Sequence, residues 1–157
     1  MKLYIAALAI LVLGFTVSCK KTKNNNTTPV ITFQGLDSNK VISGSSADTV
    51  FIHFQVVDGD GDIAHDQKSG VHDIYMIDSR TGNKIEFFYP EIPDGTINPE
   101  DGVNAFVTVK VYAALFLETR LDHPNGDTLT YDLYVKDRAD HMSNTVTTPK
   151  IYIYPKP

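Results

Sequence analysis

The strongest constraint on the fold is an alternation of apolar and polar residues that runs through the chain after Pro29. In segment 50–57 (VFIHFQVV) every second residue is apolar on one face, and segments 105–110 and 129–136 repeat this pattern. Successive side chains of a β-strand point to opposite faces, so such a period places one face of each segment in a core. No helical period of comparable strength occurs, and shorter candidate strands lie at 30–34, 71–78, 84–88 and 146–154.

Turn residues between these segments predict how the strands connect. The loop 80–83 (RTGN) separates two candidate strands and predicts a hairpin, since Gly82 and Asn83 tolerate positive φ. A short helix is expected only within 111–120. About seven short strands at regular spacing predict an all-β fold, an antiparallel β-sandwich that occupies residues 29–157 as a single domain.

The N-terminal segment 1–17 has the layout of a bacterial export signal. One lysine precedes an apolar run that is shorter than the roughly 20 residues needed to span a membrane. Ser18 and Cys19 follow directly, and a small residue before a cysteine resembles the lipobox of bacterial lipoproteins, although Thr16 stands where that family usually has leucine. The resemblance implies that residues 1–18 are removed as a signal peptide and that Cys19 is acylated.

Lipidation of Cys19 would anchor the domain to a membrane through its N-terminus. Residues 19–28 then form a polar tether, and the expected location is the outer membrane. Surface-exported lipoproteins of the group that this chain resembles often carry acidic residues just after the cysteine, so their absence here favours a domain that faces the periplasm. The alternatives are ordinary signal cleavage, which leaves a free thiol, or an uncleaved anchor. Since Cys19 is the single cysteine, no disulfide within the chain is possible. The balance of 14 basic against 19 acidic residues argues against nucleic acid as a partner.

Three aspartates that alternate with glycines form the sharpest local motif. Asp58, Asp60 and Asp62 directly follow the strongest candidate strand. Carboxylates at such spacing in a tight loop can converge on Ca²⁺, a hard cation that takes six to eight oxygen ligands. Further ligands are expected from neighbouring loops, with Asp66 and Asp137 as the candidates. The alternative is that the Asp-Gly pairs simply form a solvated turn.

Two motifs carry a resemblance to a known group of proteins. Segment 58–63 (DGDGDI) and segment 137–149 (DRADHMSNTVTTP) are similar to the DGDGDIG and DRxxxxSNxxxTP patterns of uncharacterised Bacteroidota-type lipoproteins with immunoglobulin-like domains. Segment 131–135 (YDLYV) likewise resembles the penultimate strand of immunoglobulin-like and fibronectin-like domains. The resemblance implies that type of sandwich but no known activity. Asp137 and Asn144 are expected to brace the turn between the last two strands.

The residues favour a module without catalytic activity. The histidines lack the spacing of a zinc site, no GxSxG motif occurs, and no catalytic residue is assigned. We expect a membrane-anchored envelope protein that binds a protein or glycan through its loops. The alternatives are a metal-dependent hydrolase that uses loop 58–62, or an accessory subunit of an envelope complex. The candidate binding surface is the proline-rich acidic loop 89–102, with Tyr89, Glu91, Asp94, Glu100 and Asp101.

Overall fold

The computed structural model describes residues 26–90 and 102–157, and most of their regular structure is β-strand. A single helical turn, α1 (Ala113–Phe116), and a short 3-10 helix (Gln67–Ser69) are the described helices, and neither has the length or apolarity to cross a membrane. The strands are β1 (Val30–Leu36), β2 (Lys40–Ile42), β3 (Thr49–Asp58), β4 (Ile74–Asp78), β5 (Lys84–Phe87), β6 (Val103–Tyr112), β7 (Asp127–Leu129), β8 (Tyr131–Val135), β9 (Val146–Thr147) and β10 (Ile151–Tyr154).

The strands form three hydrogen-bonded groups, with the orders β1–β3–β6, β5–β4–β8–β9 and β2–β10–β7. All pairings are antiparallel except that of β2 with β10. Three pairs of consecutive strands each form one nearly continuous stretch. Only Thr130 separates β7 from β8, and three residues separate β1 from β2 and β9 from β10. Counted by such stretches, the ten strands correspond to seven. The predicted all-β sandwich of about seven strands is therefore confirmed.

The period of two seen in the sequence becomes the core of the sandwich. In β3 the even-numbered residues from Val50 to Val56 are fully buried, while the residues between them are half-buried. In β6 the odd-numbered valines from Val107 to Val111 face the same interior. Buried aliphatic side chains from the other two groups of strands complete a single core, among them Ile74, Met76, Leu129, Leu133, Ile151 and Ile153.

The two local features predicted between strands are present. The helical turn α1 lies within 111–120, and the antiparallel pair β4–β5 is joined by a five-residue loop. In that loop Gly82 has a φ of 71°, whereas Asn83 keeps a negative φ. The Gly82 N–H closes the turn by donating to the Asp78 carbonyl at 2.8 Å, and the Asp78 carboxylate accepts the Arg80 N–H at 2.8 Å.

Candidate cation site

Asp58 ends β3 on the inward-facing side of the strand. It lies two residues beyond Val56, so the alternation that buries Val56 also turns the Asp58 side chain inward, and the residue is only 1% exposed. Among the described residues, neither of its carboxylate oxygens has a hydrogen-bond partner. Burial of an ionised carboxylate without a partner is strongly unfavourable. Stable folding with an ionised Asp58 at this position therefore requires a positive group that compensates for the buried charge.

Asp60 and Asp62 bring two more carboxylates to Asp58. One oxygen from each of the three residues lies within 4.8 Å of the others. One oxygen of Asp60 and one of Asp62 are also sealed from solvent, again without a hydrogen-bond partner in the described part of the chain. Gly61 allows the tight turn between them, since its φ of 75° lies in the region that favours glycine. The three aspartates singled out by the sequence thus form one cluster.

Burial and mutual repulsion raise the pKa of two of these carboxyls. For Asp58, burial followed by the negative charge of Asp60 raises the pKa to about 6. Burial also raises the pKa of Asp62, with the charge of Asp137 as the next cause. Nearby positive charge favours the ionised form of a carboxyl. A cation bound among these oxygens would therefore offset the causes of both shifts.

Backbone contacts from three separate parts of the chain position the loop. The Gly59 N–H donates to the carbonyl of Asn26 at 2.9 Å, and the Arg138 N–H donates to the carbonyl of Asp62 at 2.9 Å. Gly102 packs against the loop with a φ of 66°, and a Cβ at this position would overlap the backbone oxygen of Asp58. The cluster is therefore enclosed by the N-terminal segment, the turn after β8 and the start of β6.

Asp137, a predicted ligand, lies beside the cluster, but its own turn engages its oxygens. The residue is fully buried, and its Oδ1 accepts the N–H groups of Ala139 at 2.9 Å and His141 at 2.8 Å. Its Oδ2 lies 2.9 Å from the Nδ1 of His141. Asp137 thus braces the turn between β8 and β9, as the sequence predicts, and influences the cluster mainly through its charge near Asp62.

Asp66, the other predicted ligand, lies outside the cluster. It is exposed, and its carboxylate accepts the Lys68 N–H at 2.8 Å, which caps the 3-10 helix that follows. An N-cap aspartate satisfies a backbone donor at the start of a helix, and this role accounts for the residue without a metal. We therefore exclude Asp66 from the candidate ligands.

The sequence predicts that Tyr89 belongs to an exposed binding loop, but the residue is buried. It is 3% exposed, and its backbone N–H donates to Asp73 at 3.2 Å. Burial, followed by the negative charge of Asp58, raises the pKa of its phenol, and its hydroxyl has no hydrogen-bond partner among the described residues. Tyr89 is therefore a core residue beside the cluster. The rest of the predicted binding surface and the predicted lipidation site lie outside the described residues: Glu91, Asp94, Glu100, Asp101 and Cys19.

Two contacts near the cluster have no signal in the sequence. The His65 Nδ1 lies 2.6 Å from the buried Asp73 Oδ1, although the two residues are eight positions apart in the sequence. Asn144 was expected to brace its own turn, but it fastens β1: its Oδ1 accepts the Ile31 N–H at 2.8 Å and its Nδ2 donates to the Ile31 carbonyl at 2.9 Å. Only the folded chain brings these partners together.

Comparison with models of protein families and with curated proteins finds no match to this chain.

Proposed function

We propose that this chain is a lipid-anchored, non-catalytic module of the bacterial cell envelope whose β-sandwich is stiffened by a calcium ion. The ion binds at Asp58, Asp60 and Asp62. One observation carries this proposal: the Asp58 carboxylate is buried and has no hydrogen-bond partner among the described residues, although it faces two other carboxylates.

The three carboxylates are close enough to share one ion, since one oxygen from each lies within 4.8 Å of the other two. Two oxygens bound to the same Ca²⁺ on opposite sides are about 5 Å apart, because each lies about 2.3–2.6 Å from the ion. Calcium also prefers carboxylate oxygen to the nitrogen and sulfur ligands of zinc.

The burial of the cluster favours a structural ion over a catalytic one. A catalytic metal keeps a position open to water or substrate. Here both oxygens of Asp58 and one oxygen each of Asp60 and Asp62 are inaccessible to solvent. This enclosure weighs against a metal-dependent hydrolase, the alternative suggested by the same aspartates.

The proposed anchor is supported by the N-terminal sequence and by where the chain enters the domain. Residues 1–18 have the pattern of a lipoprotein signal, and Cys19 is followed by a short polar tether. Asn26, seven residues after Cys19, accepts a hydrogen bond from the Gly59 N–H of loop 58–62. Seven extended residues reach at most about 25 Å. The cation site would therefore lie at the membrane end of the domain, and a protein or glycan partner would be bound by loops elsewhere.

Calcium titration of the purified chain tests the cation site. We expect calorimetric binding of one ion and a rise in the unfolding midpoint when calcium replaces chelator. The gain is about 2.7 kcal/mol when calcium exceeds its dissociation constant by about a hundredfold. Asp60→Asn should abolish both signals, whereas Asp66→Asn should retain them, because an asparagine still caps a helix. Equal melts of the unaltered chain in calcium and in chelator would contradict the proposed site.

Fatty-acid labelling of cells that produce the full chain tests the anchor. We expect incorporation into the mature protein and its recovery in the outer-membrane fraction, because acylation at Cys19 adds chains that bury in the bilayer. The Cys19→Ala variant should lose the label. An unlabelled chain that fractionates with the periplasmic proteins would contradict the anchor and leave the calcium prediction unaffected.

A further inference from the structure

The outer edge of β6 differs from the other sheet edges of the described residues. β2 and β7 have three residues each, β5 has four and β9 has two. The long strand β1 is interrupted by a bulge, and Asn144 hydrogen-bonds to both backbone groups of Ile31. β6 is ten residues long, pairs with β3 in one unbroken register, and contains no proline and a single charge, Lys110. Long edges of this kind readily accept another strand.

The pairing with β3 determines which groups of β6 point outward. The Ala113 N–H donates to the Asp48 carbonyl, which continues the β3–β6 ladder and marks the odd-numbered residues of β6 as those bonded to β3. In an antiparallel pair these positions alternate, so the N–H and C=O groups of the even-numbered residues point away from β3. All five have exposed side chains, and Phe106 is 77% exposed: Asn104, Phe106, Thr108, Lys110 and Tyr112.

We propose that this edge pairs with the β6 edge of a second copy of the chain, antiparallel and around a two-fold axis at Thr108. In this register Phe106 lies opposite Lys110 of the other copy, and Asn104 lies opposite Tyr112. All outward-pointing residues then meet as hydrogen-bonded pairs, which the alternation of antiparallel ladders requires. No two like charges lie opposite each other, and an ammonium group beside an aromatic ring is favourable. Lys110 already reaches the Phe51 ring of its own sheet, 6.0 Å from its centroid.

The sequence of the edge supports a second copy as its partner, because pairing about Thr108 places every outward-pointing residue opposite another one and opposes no like charges. Antiparallel pairing of a strand with its own copy is an isologous contact, which closes as a dimer and leaves no free end for further growth. The two β1–β3–β6 groups would become one continuous six-stranded sheet. The pairing uses none of the three aspartates and is centred on Thr108, five residues into β6, so it is tested separately from the calcium site.

Cross-linking of the full chain in bacterial cells tests both the pairing and its register. In the proposed dimer the β-carbons at position 108 of the two copies lie about 5 Å apart. Those at position 104 are offset by eight residues, or about 27 Å. A bismaleimide with a short ethylene spacer should therefore yield at least about tenfold more dimer from Thr108→Cys than from Asn104→Cys. The unaltered chain, with Cys19 alone, shows any background from that residue.

A second pair of variants tests the contact without new cysteines. Phe106→Lys places the new lysine of each copy opposite Lys110 of the other. These two like-charge pairs should weaken self-association of the full chain in detergent by about tenfold or more. Leu115→Lys replaces an apolar residue of similar exposure outside β6 and should leave the self-association unchanged. Sedimentation velocity over a concentration series measures both. The proposal is overturned by a monomer at every concentration, by equal effects of the two variants, or by equal cross-linking at positions 104 and 108. Cross-linking of Thr108→Cys to another protein alone would also overturn it.

Discussion

Replacing Asp58 with asparagine should change the stability of the protein in opposite directions with and without calcium. The substitution keeps the size of the side chain and removes its charge. Without a cation, ionised Asp58 is buried, lacks a hydrogen-bond partner among the described residues and faces two further carboxylates. Its neutral replacement should therefore stabilise the protein in chelator. With calcium, the same replacement removes a ligand, so the stabilisation by the ion should disappear.

The expected magnitude follows from the pKa of Asp58. Burial and the charge of Asp60 raise the pKa from 3.8 to about 6. A difference of this size between the unfolded and folded states corresponds to about 3 kcal/mol in the free energy of unfolding at neutral pH. The asparagine amide is still buried and retains part of the desolvation cost, so we expect a gain of about 2 kcal/mol. For a domain of this length, that gain raises the unfolding midpoint by about 6–12 °C.

Thermal unfolding of the two proteins, each in chelator and in calcium, gives the four midpoints needed. The predicted order in chelator is Asp58→Asn above the unaltered chain, and only the unaltered chain should respond to calcium. Asp66→Asn is the matched control, because it removes an aspartate charge from an exposed helix cap. Equal destabilisation by Asp58→Asn in both conditions would contradict this prediction, since the carboxylate would then contribute a hydrogen bond rather than an uncompensated charge.

Three further predictions concern pH, a buried ion pair and a close backbone contact. In chelator, the stability advantage of Asp58→Asn should shrink as the pH falls from about 7 to about 4.5, because a raised carboxyl pKa opposes folding only when the group is ionised. Unfolding midpoints of the two proteins across this pH range measure the change. Arg80→Ala should lower the free energy of unfolding by about 3–5 kcal/mol, since it removes an ion-pair partner of the buried carboxylates of Asp78 and Asp127; denaturant unfolding measures the loss. Gly102→Ala should destabilise far more than Gly82→Ala, because both have positive φ but only Gly102 contacts backbone where the Cβ would lie; their melting midpoints provide the comparison.

The fold is predictable from the sequence wherever a local pattern determines it. The alternation in 50–57 and 129–136 depends only on the period of a β-strand, and the structure contains β3, β7 and β8 there. The same period could have predicted the burial of Asp58, because the residue continues the series of Val50 to Val56. The raised pKa of Asp58 and the cluster with its neighbours are direct consequences of that position.

The features that the sequence does not predict depend on contacts between residues far apart in the chain. The bonds from Asn144 to Ile31 span 113 positions, and no spacing or composition indicates that one amide will occupy that edge of β1. Asp66 is predicted as an additional ligand from a neighbouring loop, but its carboxylate accepts a backbone N–H of the 3-10 helix instead. Proximity along the chain is a poor guide to ligands outside the tight turn itself.

The contact between Asn26 and the aspartate loop also determines how the domain would respond to mechanical load. A pull on the N-terminal segment acts first on the hydrogen bond from Gly59 to Asn26 and then on the end of β1. β1 pairs with β3 from Val30 opposite Val57, so the load reaches this ladder at the end of β3 that the aspartate cluster adjoins. One residue further along, the two bonds from Asn144 tie Ile31 to the segment before β9. An ion among the aspartates would therefore hold the loop on which the incoming chain pulls first.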